Sequence, residues 1–204
     1  MKDAPGRLVQ GRTRWRRFAA ITVPAVVIVV AIFGGIANGA IPASFIVSGT
    51  AFKVSAKSLD GTGFVQYSGV VTQKDGKHIP VIVSGIHDAT LKELCQSVAP
   101  KDVPVSLMIR AGRGNNEVHA TDMLIDMSQL SGDATFHNIH IGQDASTLDA
   151  AGKDFHGLEG GFGQQADDVH IKGLHQVAWS TTAGTFTLDG LDLSLSFSKE
   201  ECFT

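Results

Sequence analysis

Apolar and polar residues alternate with a period of two along most of this chain, and this period limits the folds that the chain can adopt. The alternation is strictest near the C-terminus, where aspartate and serine separate four apolar residues: Leu191, Leu193, Leu195 and Phe197. Successive side chains of a β-strand point to opposite faces of the sheet, so the pattern predicts half-buried strands. We therefore predict a mainly β fold, with an antiparallel β domain over residues 43–204.

A loose recurrence in the sequence leaves a β-solenoid as the alternative architecture. Three segments begin with an acidic residue and continue with alternating aliphatic residues: Asp122–Leu130, Asp168–Leu174 and Asp189–Leu195. Stacked coils of a solenoid produce such a recurrence, but a series of amphipathic strands has the same appearance. The recurrence has no fixed period, so both architectures stay open.

Two short segments depart from the alternation and predict one or two short helices. In Thr90–Val98, the residues Thr90 and Glu93 have the spacing of a capping box. Three apolar residues of this segment share one helical face: Leu91, Leu94 and Val98. Ser146–Ala151 predicts at most one helical turn.

Glycine-containing turns are expected to separate the predicted strands. Leu59–Gly63 (LDGTG) predicts a turn, followed by a strand over Phe64–Val71. The pair Asp75-Gly76 predicts the tight connection of a β-hairpin. A second strand, Ile79–Ile86, then completes that hairpin.

A long apolar segment lies close to the N-terminus. No charged residue occurs between Phe18 and Phe52, and the most apolar part, Phe18–Ile36, has 19 residues. As a helix this part would span about 28 Å, close to the hydrocarbon thickness of a bilayer. We predict a transmembrane helix or uncleaved signal anchor over residues 18–38. The alternative is a signal peptide cleaved near Ala37–Gly39, which would release a secreted protein.

The distribution of charge predicts the orientation of this segment. Residues 1–17 contain six basic residues and one acidic residue, whereas the remaining 187 residues contain 11 basic and 19 acidic residues. The positive-inside rule therefore predicts a cytoplasmic tail over residues 1–17 and an extracytoplasmic β domain at the plasma membrane. The excess of acidic residues in these 187 residues also argues against a nucleic-acid partner, because phosphate binding needs a basic surface.

The chain has only two cysteines, Cys95 and Cys202. Outside the cytoplasm, an isolated pair of cysteines most simply forms one disulfide. We therefore predict a Cys95–Cys202 disulfide, with two buried free thiols as the alternative.

The sequence contains no recognisable catalytic or metal-binding motif. It lacks the G-x-S-x-G nucleophile elbow, the H-E-x-x-H zinc motif and the C-x-x-C pair. Gly161–Ala166 fits G-x-G-x-x-A, but a glycine-rich loop precedes it and a predicted strand follows it, which is the wrong context for a dinucleotide site. We predict no catalytic, metal-binding or cofactor-binding residues.

The apolar faces of the predicted strands are the remaining candidate for function. They can form the core of a small β domain, or one of them can line a groove for an apolar ligand. Our candidate lining residues lie on two strands, of which the first is rich in adaptable methionine: Met123, Ile125 and Met127, and Leu191, Leu193, Leu195 and Phe197.

Several stretches, among them SFIVSGTAFKV, GFGQQAD and AWSTTAGTF, resemble an actinobacterial (Streptomyces-type) family of uncharacterised single-span envelope proteins. Members often carry the automatic label cholesterol esterase, but this chain lacks the serine motif, so we do not transfer that activity. The resemblance implies a protein of the cell envelope. We predict a non-catalytic module that binds a lipid-like ligand or a membrane-protein partner; the alternative is a lipid-ester hydrolase with an unrecognised active site.

Overall fold

The computed structural model describes residues 46–47, 49–100 and 103–204, and these residues form mainly β-structure, as predicted. They belong to one compact unit, Phe45–Thr204. Ten strands follow one another in chain order: β1 (Ile46–Val47), β2 (Phe52–Gln73), β3 (His78–Lys92), β4 (Leu94–Val98), β5 (Ser106–Ala111), β6 (Val118–His137), β7 (His140–Asp144), β8 (Phe162–Thr182), β9 (Thr185–Leu188) and β10 (Asp192–Ser196).

The four longest strands form a sheet that closes on itself. β2 pairs with β3 along one edge and with β8 along the other, and β6 pairs with both β3 and β8. All four pairings are antiparallel, and among the described strands only β1 and β2 pair in parallel. A β-solenoid stacks its coils in parallel, so that alternative is wrong. We call these four strands the closed sheet.

Three further strands extend the sheet to one side. β4 and β3 pair with the same edge of β2. β4 pairs with the first part of β2, and β3 pairs with the part that follows. β5 pairs with β4, and β10 pairs with β5 at the end of the series. We call β4, β5 and β10 the side sheet. Because β10 ends the described strand order, one of its edges has no neighbouring strand among the described residues.

The predicted helix over Thr90–Val98 is wrong, because this segment forms the end of β3 and all of β4. Between the two strands, Glu93 adopts a left-handed conformation (φ 52°), and its N–H donates to the Gly112 carbonyl over 2.8 Å. This left-handed residue lets Leu91 and Leu94 both point inward and be buried, while the register against β2 continues unchanged. The three-residue spacing that suggested a helix therefore comes from a left-handed residue between two strands.

The second predicted helical segment contains a short turn. The structure has one 3₁₀ turn, Ala145–Thr147, among the described residues, one residue earlier than the predicted start. Asp144 caps this turn and also accepts a hydrogen bond from the N–H of Gly160 over 2.8 Å. The backbone N–H groups of Ser146 and Gly160, with the Ser146 hydroxyl, lower the pKa of Asp144 because they stabilise its carboxylate.

One predicted turn is present and the other is absent. The Asp75-Gly76 hairpin is confirmed: the N–H of Gly76 donates to the Gln73 carbonyl over 2.9 Å, and β2 and β3 pair on either side of it. The predicted turn at Leu59–Gly63 is wrong, because β2 runs through it. Gly63 introduces a local irregularity with a left-handed φ of 64°, but the strand continues beyond it.

The main hydrophobic core fills the interior of the closed sheet. Met123, Ile125 and Met127 of β6 belong to this core and are 3%, 4% and 1% exposed. A second, smaller cluster forms around Val71, Val81 and Val83. These buried clusters lie within the unit Phe45–Thr204, so this unit has a core of its own.

The predicted disulfide is present and holds the C-terminal segment against the side sheet. Cys202 is bonded to Cys95 of β4, and its N–H donates to the Ser97 hydroxyl over 3.0 Å. The carbonyl of Glu200 accepts a hydrogen bond from the Ser106 hydroxyl, and its carboxylate pairs with Arg110 at 2.7 Å. One face of the side sheet is therefore covered by the end of the chain.

The predicted cytoplasmic tail (1–17) and transmembrane helix (18–38) lie outside the described residues. Within the part of the chain that the structure describes, no helix reaches the length and apolar character that crossing a membrane requires.

Replacing Gly63 by alanine is expected to destabilise the fold more than replacing Gly76. Both glycines have a left-handed φ, but a Cβ at Gly63 would overlap the Ala150 carbonyl oxygen and lie 3.0 Å from the His87 Cβ. A Cβ at Gly76 would meet nothing within 4 Å. We expect a loss of about 2–5 kcal/mol for Gly63→Ala, from backbone strain and overlap together, and about 1 kcal/mol for Gly76→Ala. Urea unfolding of both variants measures the difference; equal losses would contradict this account of β2.

Removing the disulfide is expected to lower the free energy of unfolding by about 4–5 kcal/mol. The disulfide closes a loop of about 100 residues and so lowers the conformational entropy of the unfolded chain. The two cysteines are 107 positions apart. The measurement is urea unfolding of the double variant Cys95→Ala, Cys202→Ala. Wild-type protein with and without reductant is the control, and reduction should produce a similar loss. Unchanged stability in both experiments would show that the C-terminal segment is held by its other contacts.

Candidate functional site

An apolar cavity of about 350 Å³ lies where β2 begins and β8 ends. Its volume is within the range of roughly 300–1,000 Å³ that is common for small-molecule sites. Several strands contribute side chains, among them these: Phe52 and Val54 of β2, Leu94 and Gln96 of β4, Met123 and Ile125 of β6, and Leu174 and Gln176 of β8. The cavity reaches the protein surface beside the exposed residues Thr181 and Phe186.

The pairing of β2 explains why these side chains converge. Val54 lies opposite Gln96 of β4 on one side and opposite Gln176 of β8 on the other. Directly opposed residues of antiparallel strands place their side chains on the same face of the sheet. Both glutamines therefore lie on the cavity side of Val54. The left-handed Glu93 keeps Leu94 on this side as well.

Gln176 is the unusual residue of the cavity. It is only 4% exposed, yet its amide has no hydrogen-bond partner in the part of the chain that the structure describes. The amide atoms of Gln176 are nevertheless accessible to solvent. Among the described residues, the indole nitrogen of Trp179 is the only side-chain polar atom that is both buried from solvent and unpaired. The amide therefore faces the space of the cavity. An amide that faces this open space can pair with water or with a polar group of a ligand.

Among the described residues, no charged side chain lines the cavity. Besides the two glutamines, Thr181 is the only other polar residue that the described part of the chain contributes to the lining. The cavity thus offers a large apolar surface and a few neutral hydrogen-bonding groups. This combination suits an apolar molecule that carries a small polar group.

The cavity side of the sheet continues onto an exposed apolar face of the side sheet. Ile109 of β5 lies opposite Gln96 on one side and opposite Leu193 of β10 on the other. Leu107 likewise lies between Val98 and Leu195. The alternating residues at the end of this series are exposed by 55%, 63%, 61% and 81%: Leu191, Leu193, Leu195 and Phe197. We call these four residues the β10 stripe.

The predicted lining residues thus separate into three groups. Met123 and Ile125 are core residues that also line the cavity. Met127 belongs to the core but not to the cavity lining. The β10 stripe lies on the exposed face of the side sheet, outside the cavity lining.

Sequence reasoning missed the two glutamines and the cavity residues of β2 and β4. A signal for Gln176 was available, because it occupies an inward position between Leu174 and Ala178, where alternation predicts an apolar residue. No comparable signal marks Gln96. Its segment was interpreted as a helix, and its approach to β8 depends on long-range pairing with β2.

A second, polar cleft lies on the outer side of the closed sheet, with a volume of about 440 Å³. It contains three histidines, each beside a neighbouring side chain: His170 bonds Asp60, His119 lies 3.3 Å from the Thr90 hydroxyl, and His137 lies 4.0 Å from Asp168. Among residues 46–47, 49–100 and 103–204, no group of three or more histidine, cysteine or acidic side chains is placed to hold a metal ion. The cross-strand pairs account for these polar side chains without a ligand.

Replacing Leu195 of the β10 stripe by aspartate is expected to reduce the binding of an apolar dye with little effect on stability. Leu195 is 61% exposed, so it contributes little to the core. The control is Ser194→Asp, which adds the same charge at the adjacent residue on the other face. The measurements are 8-anilinonaphthalene-1-sulfonate fluorescence and retention on a hydrophobic-interaction column. Equal dye binding by both variants would show that the stripe is not an accessible apolar surface.

A comparison with protein-family models places the chain in a family. The model described as a family of unknown function, DUF6230, matches residues 48–203, which include every strand from β2 to β10. No curated protein and no solved structure matches the chain. The match covers most of the sequence and the whole cavity, and the expectation of an uncharacterised family is confirmed. The chain belongs to the family of unknown function DUF6230.

Proposed function

We propose that this chain is a non-catalytic, membrane-anchored module of the cell envelope that binds a lipid-like ligand in the apolar cavity. The observation that carries the proposal is the cavity of about 350 Å³ with its unpaired Gln176 amide. Apolar walls favour a hydrocarbon group, because each methylene group removed from water contributes about 0.8 kcal/mol. The amide supplies a hydrogen-bonding position for a polar end.

The β10 stripe supports the same function. It lies on the face of the side sheet that is continuous with the cavity side of β4. An exposed row of leucine and phenylalanine is typical of interaction surfaces. We propose that the part of a ligand that extends beyond the cavity lies along Ile109 and Leu193.

The location of the module is also part of the proposal. The apolar segment over residues 18–38 and the basic tail over residues 1–17 support a single-pass protein of the plasma membrane, with the β domain outside the cytoplasm. The Cys95–Cys202 disulfide is compatible with an oxidising compartment. From the sequence resemblance we infer an actinobacterial envelope.

The catalytic alternative has less support. A serine or cysteine hydrolase activates its nucleophile through a neighbouring base. Among the residues that the structure describes, the hydroxyl groups hydrogen-bonded to histidine rings belong to Thr72 and Thr90, and both cysteines are in the disulfide. Neither threonine lines the apolar cavity. The geometry therefore supports binding better than ester hydrolysis.

The proposal predicts that residues 45–204, exported from an actinobacterial host and purified without detergent, retain a bound apolar molecule. Mass spectrometry of the native protein and of its organic extract measures the mass and the stoichiometry of that molecule. We expect about one ligand per chain. An empty, monodisperse protein that also fails to bind added lipids would overturn the proposal and favour a role in protein–protein assembly.

A matched pair of tryptophan variants tests whether the cavity is the binding site. Thr181 lines the cavity, whereas the neighbouring Thr182 of the same strand does not, and both residues are exposed. Thr181→Trp should fill the mouth of the cavity and weaken ligand binding about tenfold or more, a loss of about 1.4 kcal/mol. Thr182→Trp should leave binding unchanged. Equal effects of the two variants would place the ligand elsewhere.

A further inference from the structure

We infer that the ligand of this cavity carries an uncharged polar group, which Gln176 and Gln96 recognise by hydrogen bonds. The inference rests on the proposed function and specifies its ligand class: a neutral amphiphile with a hydroxyl, ester or amide group. Fatty acids and phospholipids, whose head groups are charged, are outside this class.

The positions of the two glutamines are the first argument. Gln96 and Gln176 lie on opposite sides of Val54, on the same face of three neighbouring strands. Both line the cavity, and the side chains of both lack a hydrogen-bond partner among the described residues. Two amides directed at one apolar space can bind the same small group from two sides.

The chemistry of the amide is the second argument. A glutamine side chain has two N–H donors and a carbonyl acceptor, so it satisfies a hydroxyl group as donor or acceptor and an ester or amide carbonyl as donor. The Gln176 side chain is only 4% exposed, and its amide faces the cavity, where water or a polar group of a ligand can pair with it. A ligand with such a group supplies this partner.

The absence of charge in the lining is the third argument. In the part of the chain that the structure describes, no lysine, arginine, histidine, aspartate or glutamate lines this cavity. A carboxylate or phosphate in apolar surroundings needs an opposite charge or several strong donors. The described side chains that line the cavity are all neutral, so a charged head group gains too little from them to leave water.

A competition experiment tests the inference with three probes of equal chain length: 1-dodecanol, dodecane and dodecanoate. Each probe displaces the fluorescent apolar dye N-phenyl-1-naphthylamine from residues 45–204 at pH 8. We expect 1-dodecanol to bind about tenfold or more tightly than either dodecane or dodecanoate.

Gln176→Leu should abolish the preference for the alcohol over the alkane while retaining alkane binding. Gln96→Leu should reduce the preference, and Gln129→Leu, at an exposed position of β6 outside the cavity, is the matched control.

The possible outcomes distinguish the inference from the proposed function. If neither the dye nor any of the three probes binds, the cavity is not a lipid-like site and the proposed function fails. If dodecane binds as tightly as 1-dodecanol, or Gln176→Leu leaves the preference unchanged, the cavity binds apolar molecules and the inference about the polar group is overturned. Tightest binding by dodecanoate would also overturn it. Because leucine has a similar volume in an apolar site, Gln176→Leu is expected to fold, and its urea unfolding curve verifies this.

Discussion

β2 hydrogen-bonds to other strands along both of its edges, and the rest of the structure depends on this double pairing. One edge binds β3 and β4 in turn, and the other binds β8 over Phe52–Tyr67. The pairing with β8 closes the sheet and encloses the core. The pairing with β4 starts the side sheet, which remains open. A single strand of 22 residues thus belongs both to the closed sheet and to the open side sheet. The four strands of the closed sheet each have a partner on both sides, whereas the side sheet ends at β10.

The left-handed residue Glu93 separates these two parts of the fold. Before it, the chain pairs with β6 in the closed sheet as far as Leu91, and from Leu94 it pairs with β5 in the side sheet. The left-handed residue keeps Leu91 and Leu94 on the same side of the sheet, and both line the cavity. The cavity therefore lies where the closed sheet gives way to the side sheet. Its position follows from the left-handed Glu93 and from the change of strand pairing at this point.

The sequence allows the fold class to be predicted but not the closure of the sheet. Alternation identifies strands such as β10, and the Asp75-Gly76 pair identifies the hairpin, because both signals are local. The helix over Thr90–Val98 was predicted wrongly because the left-handed Glu93 changes the spacing of buried residues from two to three. The pairing of β2 with β8 joins residues that are more than a hundred positions apart, and no local pattern contains that information.

The same limit applies to the candidate site. Alternation shows that Met123 and Leu193 each lie on an apolar strand face, but it does not show which face another layer covers. The closed sheet covers Met123, whereas Leu193 lies on an edge strand and is 63% exposed. Gln176 differs, because a polar residue in an inward position is visible in the pattern once the strand is recognised. Its functional meaning still depended on the absence of a partner, which only the structure reveals.

The two faces of the side sheet make the binding function physically reasonable. The C-terminal segment covers one face, held by the Cys95–Cys202 disulfide and the hydrogen bond between Cys202 and Ser97. The other face has Ile109 and the β10 stripe, and no described segment of the chain covers the stripe. Soluble proteins seldom leave an apolar face exposed on an edge strand, because it promotes aggregation. An open apolar face next to an apolar cavity is consistent with our proposal that a ligand occupies both, in which case the stripe and the cavity form one binding surface.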